Sequence, residues 1–358
     1  MIPCPWSPFR LSRWSPFALP FIWSLCLTIR YVIYLNNKTY KKIEGGSMNK
    51  DISVIIITRN RPDILVQSVS KVMAEQAHSS TRFEILIIDT STQPTWISTG
   101  NDDVIRYYYF GNISYSMVLA RNTALGLAQS EIVAFIDDDC FIHPGWIDQL
   151  LLPYQDHNVV AVGGRIIYHP WKSCLTDTMV ANIDLDNDLI FAQWDKNPEK
   201  PIKVSHLPGG NFSVRTSCAL QVGGFDTNYI GSANLEETDF FYRLNKIGDI
   251  VFNPKAVVEH REAPRTDGIK RDFSNYLYRY SMVRNRIYFL RKYKSYKGLK
   301  KTIHREVLVT AYGSLQRIKG VILFFFASVF GILGGLLTSL KPGSKRLAEF
   351  RYEDRHGS

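Results

Sequence analysis

Ile132-Val133-Ala134-Phe135-Ile136-Asp137-Asp138-Asp139 is an apolar run that ends in three consecutive carboxylates. A short stretch of Val, Ile and Phe without alternation reads as a strand buried on both faces. Adjacent acids repel one another, so the triplet is costly unless a metal, basic groups or water offset it. In an extended chain Asp137 and Asp139 leave on one side and Asp138 on the other. Mg2+ or Mn2+, held by one or two carboxylates and completed by substrate phosphates, suits such a pair. A solvated acidic turn before Pro144-Gly145 would leave the same trace, so the neighbouring segments have to decide.

Upstream, strand and helix patterns alternate. Ile52 to Ile57 is a buried strand ending at Thr58-Arg59-Asn60-Arg61-Pro62, and Leu65, Val69, Val72 and Met73 follow at helical spacing. Phe83 to Ile88 ends at Asp89-Thr90-Ser91, Ile105 to Tyr109 makes a third strand, and Ala120 to Leu127 reads as a helix beginning near Arg121-Asn122. This order implies βαβ units and a largely parallel sheet. Thr58, Asp89 and the triplet then fall at the carboxyl ends of successive strands, where open α/β sheets bind nucleotides.

The 358 residues are enough for one large domain or two smaller ones, and a 45% apolar, 13% aromatic composition excludes wholesale disorder. Five widely spaced cysteines without a Cys-x-x-Cys pair point to reduced thiols rather than a disulfide framework or a zinc site. Asn37, Asn112 and Asn211 each begin an Asn-x-Ser/Thr triplet, a short pattern frequent by chance. The net charge of +10 is unevenly spread: residues 1–47 carry 6 basic and 1 acidic group, 48–264 carry 17 and 26, and 265–358 carry 20 and 6. An acidic body followed by a strongly basic tail suggests a catalytic domain joined to an electrostatic docking surface. No zinc-finger, helix-turn-helix or RNA-recognition pattern accompanies the tail, so no nucleic-acid partner is expected.

Taken together, the motifs resemble those of the inverting family 2 glycosyltransferases. They are Ser53-Val54-Ile55-Ile56-Ile57-Thr58, the Asp89 strand end, Ala120-Arg121-Asn122, the Asp-x-Asp signature, Gly223-Gly224-Phe225-Asp226, Glu236-Glu237-Thr238-Asp239 and His260. The resemblance covers about Ile52 to Arg265. It implies the GT-A fold, an α/β Rossmann-like architecture with a mixed, mainly parallel sheet flanked by helices.

It also implies roles. Thr58, Asp89, Arg121, Asp137 and Asp138 would line the nucleotide pocket, Asp89 accepting from the imide N–H of a uracil or thymine ring and Arg121 facing phosphate. Asp139 would be the metal ligand, with Asp137 shared between ribose and metal and His260 as a further ligand. Gly210 and Asn211, in Pro208-Gly209-Gly210-Asn211-Phe212, would pack on the donor sugar, and Phe225 and Asp226 would form the acceptor wall. Trp171 adds a candidate stacking surface. Inverting transfer needs a carboxylate to take the acceptor hydroxyl's proton. The family usually places an Asp there and this chain has Glu237, with Glu236 and Asp239 as substitutes. Each residue also has a plainer reading: Thr58 and Asp89 as turn caps, Arg121 as an ion-pair partner, the glycines as a tight turn and His260 as a structural imidazole.

The ends of the chain differ from its middle. Residues 1–47 contain a mostly apolar Phe17 to Leu35 broken by Pro20 and Arg30, which fits either a signal-anchor or translated leader sequence ahead of a start at Met48. The body then runs 48–265. In 266–358, Tyr276, Tyr280, Val283, Ile287 and Leu290 form a helical stripe interleaved with Arg279, Arg284, Arg286, Arg291 and Lys292, a composition suited to an anionic membrane surface. Val321 to Leu340 holds no charged residue over a length that meets the span criterion, and its glycines suit close helix packing, so it reads as spanning or interfacial. The expected activity is metal-dependent transfer of a sugar from a nucleoside-diphosphate sugar, of uridine or thymidine type, to a lipid-linked or polysaccharide acceptor at the cytoplasmic face of the cell membrane. A non-catalytic nucleotide-sugar-binding or scaffold relative is the alternative, supported by Glu at the usual Asp position. A nucleotidyltransferase would ordinarily show a glycine-rich loop after the first strand, and residues 58–62 contain no glycine.

Overall fold

The computed structural model describes residues 50–96, 104–111, 116–168, 179–263, 275–314 and 318–338. The expectations for residues 1–47 and for Trp171 lie outside these. The elements are β1 (Ile52–Thr58), α1 (Pro62–Met73), β2 (Phe83–Asp89), β3 (Ile105–Tyr109), α2 (Met117–Leu127), β4 (Ile132–Asp137), β5 (Cys140–Ile142), α3 (Trp146–Leu151), β6 (Val159–Tyr168), β7 (Ala181–Asp184), β8 (Leu189–Ala192), β9 (Ile202–Lys203) and β10 (Asn211–Arg215). They continue with α4 (Thr216–Gln221), α5 (Glu236–Leu244), β11 (Asp249–His260), α6 (Tyr276–Lys292), α7 (Tyr296–Ser314) and α8 (Ile318–Leu337).

Among the described residues a nine-stranded sheet runs in the order β3-β2-β1-β4-β10-β6-β11-β5, with β9 on β11. The β3-β2-β1-β4 half is parallel throughout, as the alternating pattern requires. Beyond β4 the sheet is mixed, because β10 pairs antiparallel with both β4 and β6. β6 and β11 pair parallel again, so the sheet is mixed with parallel pairing the more extensive, as the mainly parallel reading expects. β10 follows the Pro208–Gly210 loop, and that loop returns the chain to the end of β4 where the acids lie.

The alternation of strand side chains builds two cores. Val54 and Ile56 face Leu65, Val69 and Val72 of α1 and Trp146 of α3. Ile55 and Ile57 face the other layer, with Val118 of α2, Phe240 and Phe241 of α5, and Tyr288 and Phe289 of α6. Pro62 opens α1 at a position where its missing N–H has no intrahelical partner to lose.

Residues 48–358 form one compact unit, so the carboxy-terminal helices belong to the same body as the sheet. The bases of α6, read from the sequence as a membrane-facing set, are consumed internally. Lys292 Nζ lies 2.7 Å from both Asp226 Oδ2 and Asp239 Oδ1. Arg279 pairs with Glu306, Arg284 donates to the Asn228 carbonyl, Arg286 pairs with Asp188, and Arg291 donates to the carbonyl of Thr338. An apolar stripe with interleaved bases describes a helix pinned by long-range ion pairs as well as one lying on lipid. Here the pairs claim it.

Candidate active site

The triplet closes β4. Asp137 is the last strand residue, and Asp138 and Asp139 make the turn into β5. Thr58 Oγ1 donates to Asp138 Oδ2 at 2.8 Å, so Thr58 orients a carboxylate and does not present its hydroxyl to the cleft. Arg61 supplies the cation the triplet requires: its Nη1 is 2.8 Å from Asp138 Oδ1 and 3.1 Å from Asp139 Oδ2. His260, at the end of β11, places Nε2 3.4 Å from Asp139 Oδ1. Burial lifts the Asp138 carboxyl to about 6 against the pull of Arg61. Burial acts on Asp139 in the same direction, but the hydrogen bond and charge of His260, with Arg61, outweigh it and hold that carboxyl low. The same hydrogen bond raises His260.

The donor atoms of Asp139, Cys140 and His260 lie within 4.8 Å of one another. Burial, with Asp137 and Asp139 beside it, pushes the Cys140 thiol well above its ordinary range, so it stays protonated. A hard divalent cation prefers the oxygens and the imidazole. An arginine already bridging two of the carboxylates stands where a cation is needed, so this donor set fits a divalent metal.

A diglycine loop crosses from this metal side to a second carboxylate. A Cβ added to Gly210 would sit 2.7 Å from Asp137 Oδ2, and one added to Gly209 would meet Arg121 Nη2 at 3.0 Å and Glu237 Oε1 at 3.6 Å. Consecutive residues thus approach Asp137 and Glu237, Gly210 closer to Asp137 than a Cβ would allow and Gly209 at ordinary contact distance from Glu237. Glu237 is partly exposed at the start of α5, where negative charge is favoured. The backbone before it is tightly wound, with Ala233 at φ 54 and Leu235 at φ 71. Left-handed non-glycine residues cost roughly 1–3 kcal/mol each and persist where the surroundings fix them. That turn sends Glu236 inward and leaves Glu237 in the cleft.

Other expected site residues are engaged elsewhere. Glu236 is buried against Arg121 Nη1, and burial lifts its carboxyl far above the usual range although Arg121 opposes this. Arg121 also donates to the Gly209 carbonyl at 2.9 Å, so it ties the diglycine loop to α5 and does not face a phosphate. Asp239, 0% exposed, receives Lys292, Arg243, Tyr229 and Tyr293 and is unavailable as a base. Asp226 is buried between Lys292 and Tyr288, and Phe225 stacks on Phe240 with ring centroids 4.1 Å apart, so both are core and not an acceptor wall.

Asn211 is 0% exposed. Its amide donates to the carbonyls of Arg165 and Ala256 and accepts from Trp146 Nε1, leaving nothing for a sugar hydroxyl. Asp89 accepts from the backbone N–H of Ser91 and Thr95, Thr95 Oγ1 and Tyr107 OH at 2.6–2.9 Å. Three of these donors meet Oδ2 and one meets Oδ1, so Oδ1 is the oxygen with acceptor capacity left for an imide N–H.

Arg61 and Lys292 were not singled out from the sequence as partners of acids. For Arg61 a signal existed: it follows β1 directly, at the strand end next to the triplet. For Lys292 there was none, because its partners lie 66 and 53 residues away.

Acids at parallel strand ends, with an acidic helix start brought to them by a diglycine loop, are an arrangement in keeping with the GT-A fold. Residues 53–217 match the family model described as glycosyl transferase family 2. It is 26% identical over 270 residues to a pre-mycofactocin glycosyltransferase of Mycobacterium tuberculosis, covering 71% of this chain and 53% of that protein. It is 27% identical over 253 residues to a validoxylamine A glucosyltransferase of Streptomyces hygroscopicus subsp. limoneus, covering 64% and 55%. The chain therefore spans about half the length of these curated relatives. In fold it is similar to GalNAc-T7, whose crystal structure holds UDP, GalNAc and Mn2+, with a TM-score of 0.50, 14% identity, and coverage of 79% of this chain and 60% of that one.

Proposed function

We propose that the protein is an inverting glycosyltransferase that moves a sugar from a nucleoside-diphosphate sugar to a hydroxyl of a lipid-linked or polysaccharide acceptor, at the cytoplasmic face of the cell membrane. The observation that carries this reading is the Gly209-Gly210 loop held between Asp137 and Glu237. It gives a donor a floor of backbone with one carboxylate at the diphosphate side and another at the acceptor side. Asp139, with Asp137 and His260, would hold Mg2+ or Mn2+, which when bound neutralises charge on the departing nucleoside diphosphate. The Mn2+ and UDP in the GalNAc-T7 structure are in keeping with this reading.

Glu237 accepts the proton of the acceptor hydroxyl as that oxygen attacks the anomeric carbon. Arg121 and Glu236 hold the diglycine loop against α5, which keeps Glu237 at a fixed distance from the donor and limits the motion that would cost rate. Thr58 and Arg61 orient Asp138 and Asp139. A uridine or thymidine diphosphate is the donor class proposed, with Asp89 Oδ1 reading the imide N–H.

The test is a panel of nucleotide sugars with Mn2+ or Mg2+, following release of nucleoside diphosphate with and without membrane lipid extract. One donor should turn over, and Glu237→Gln should abolish that turnover while leaving donor binding within about twofold. Binding without turnover for every donor, with an affinity indifferent to Asp139→Asn, would establish the non-catalytic relative instead.

A further inference from the structure

The helix α8 is fixed along one face. A Cβ on Gly331 would meet the Tyr280 carbonyl oxygen at 3.0 Å and Val283 Cβ at 2.9 Å, and one on Gly335 would meet the Arg284 carbonyl oxygen at 2.7 Å and Ile287 Cβ at 2.6 Å. Backbone therefore lies against α6 over more than a turn, the approach that small residues allow. Arg284 Nη2 donates to Thr338 Oγ1 at 2.6 Å and Arg291 Nη1 to the Thr338 carbonyl at 2.7 Å, tying down the carboxyl end of α8. Because α6 is itself locked to the body through Lys292, Asp226 and Asp239, α8 stays with that body.

The opposite face is apolar and partly exposed. Phe326, Phe330, Leu333 and Leu337 recur at helical spacing and are 44%, 48%, 47% and 83% exposed. Residues 321–340 contain no charge, whereas 265–358 as a whole carry 20 basic and 6 acidic groups. On α7, packed beside α8, Lys297, Lys300, Lys301 and Arg305 are exposed, Lys297 and Lys301 reaching Asp186 and Asn187 at the surface and Arg305 pairing with the buried Asp188. Among the described residues no helix is long and apolar enough to cross a membrane.

We propose that α8 docks flat on an anionic bilayer surface, inserting Phe326, Phe330, Leu333 and Leu337 between headgroups while the surrounding bases hold the lipid charge. This deepens the membrane-face placement proposed above and rests on it for location, though not on catalysis. Lying flat follows from the packing: one face of α8 is committed to α6, and a spanning helix would have to leave it. A second copy of the chain is the weaker occupant, since two segments each carrying a net charge of +14 repel, whereas an anionic surface attracts both the stripe and its surroundings.

The experiment is flotation of the full chain, without donor, on vesicles of phosphatidylcholine alone and of phosphatidylcholine with about one third phosphatidylglycerol. Binding to the anionic vesicles is expected, weakening as salt rises. The Phe330→Glu/Leu333→Glu variant should lose at least tenfold of that binding with an unchanged melting temperature and unchanged turnover of a soluble donor. Equal binding by the double variant overturns the proposal, as does a concentration-dependent dimer that the same substitutions dissolve. The readout uses no nucleotide sugar, so its failure leaves the transferase reading standing. Conversely, a chain that transfers no sugar can still float.

Discussion

Replacing Lys292 with Met removes the one ammonium shared by Asp226 and Asp239 while preserving most of the side-chain volume. Lys292 Nζ sits 2.7 Å from each acid, its side chain is 7% exposed and both carboxylates are 0% exposed. Arg243 pairs with Asp239, so the variant takes from the buried Asp226 carboxylate the Lys292 ammonium that it shares, while the Tyr288 hydroxyl and the Asn228 N–H still donate to it. Removing one partner of a buried pair typically costs about 3–5 kcal/mol, a fall in melting temperature of roughly 6–15 °C for a body of this size.

The pH dependence gives a second handle. Burial works to raise Asp226, but Lys292 and Tyr288 outweigh it and hold the carboxyl below its ordinary value. Its contribution in the wild type is therefore present above the unfolded carboxylate pKa, near ~3.9, and is lost as pH falls through the lower folded value. Without Lys292 burial dominates and the folded pKa rises above the unfolded one. The variant then gains stability as pH falls through that raised value, and its deficit narrows toward acid pH. Urea titration followed by tryptophan fluorescence at pH 7 and pH 5 measures both effects. Lys292→Met/Asp226→Asn should recover at least half of the loss, because it no longer buries an uncompensated charge. A deficit below about 1 kcal/mol, the size of an exposed pair, or one that widens toward pH 5, would refute the claim that α6 is locked to the body by this cluster.

Three further outcomes follow from contacts at the site. Arg61→Met removes the cation that competes for Asp138 and Asp139, so Mn2+ titrated calorimetrically in the absence of nucleotide should bind about tenfold tighter, a difference of ~1.4 kcal/mol; weaker or unchanged affinity means the guanidinium and the metal use different oxygens. Gly210→Ala forces a Cβ to within 2.7 Å of Asp137 Oδ2 and should lower kcat about 10- to 100-fold with a melting temperature within a few degrees of wild type; an unaltered kcat would show that the loop does not set the donor's position. Asn211→Ala strands Trp146 Nε1 and two carbonyl oxygens, costing about 2–4 kcal/mol while the donor KM of the folded fraction stays within twofold; a large KM increase without loss of stability would return Asn211 to the sugar.

The parallel half of the sheet and the place of the triplet were legible because they rest on local pattern: apolar runs of strand length, helical spacing between them, and acids where a run stops. What local pattern cannot carry is the choice of partner. Asp226, Asp239, Asn211 and Asp89 are polar residues in motif positions, and a sequence offers no way to tell a polar group aimed at a ligand from one aimed inward. The deciding residues lie far off in the chain: Lys292 is 66 residues from Asp226, and Trp146 is 65 from Asn211. The same holds for the bases of α6, whose composition suits lipid until their acidic partners are located. Glu237 stands apart from the other acids for a physical reason: its neighbour Glu236 takes the only buried arginine at that turn among the described residues, and the left-handed backbone at Leu235 turns the next side chain outward. The motif thus contains one acid to fasten the loop, one left partly exposed beside the diglycine turn and one to key the helix to the core. That division explains how three carboxylates within four residues persist at a helix start where capping would need only one.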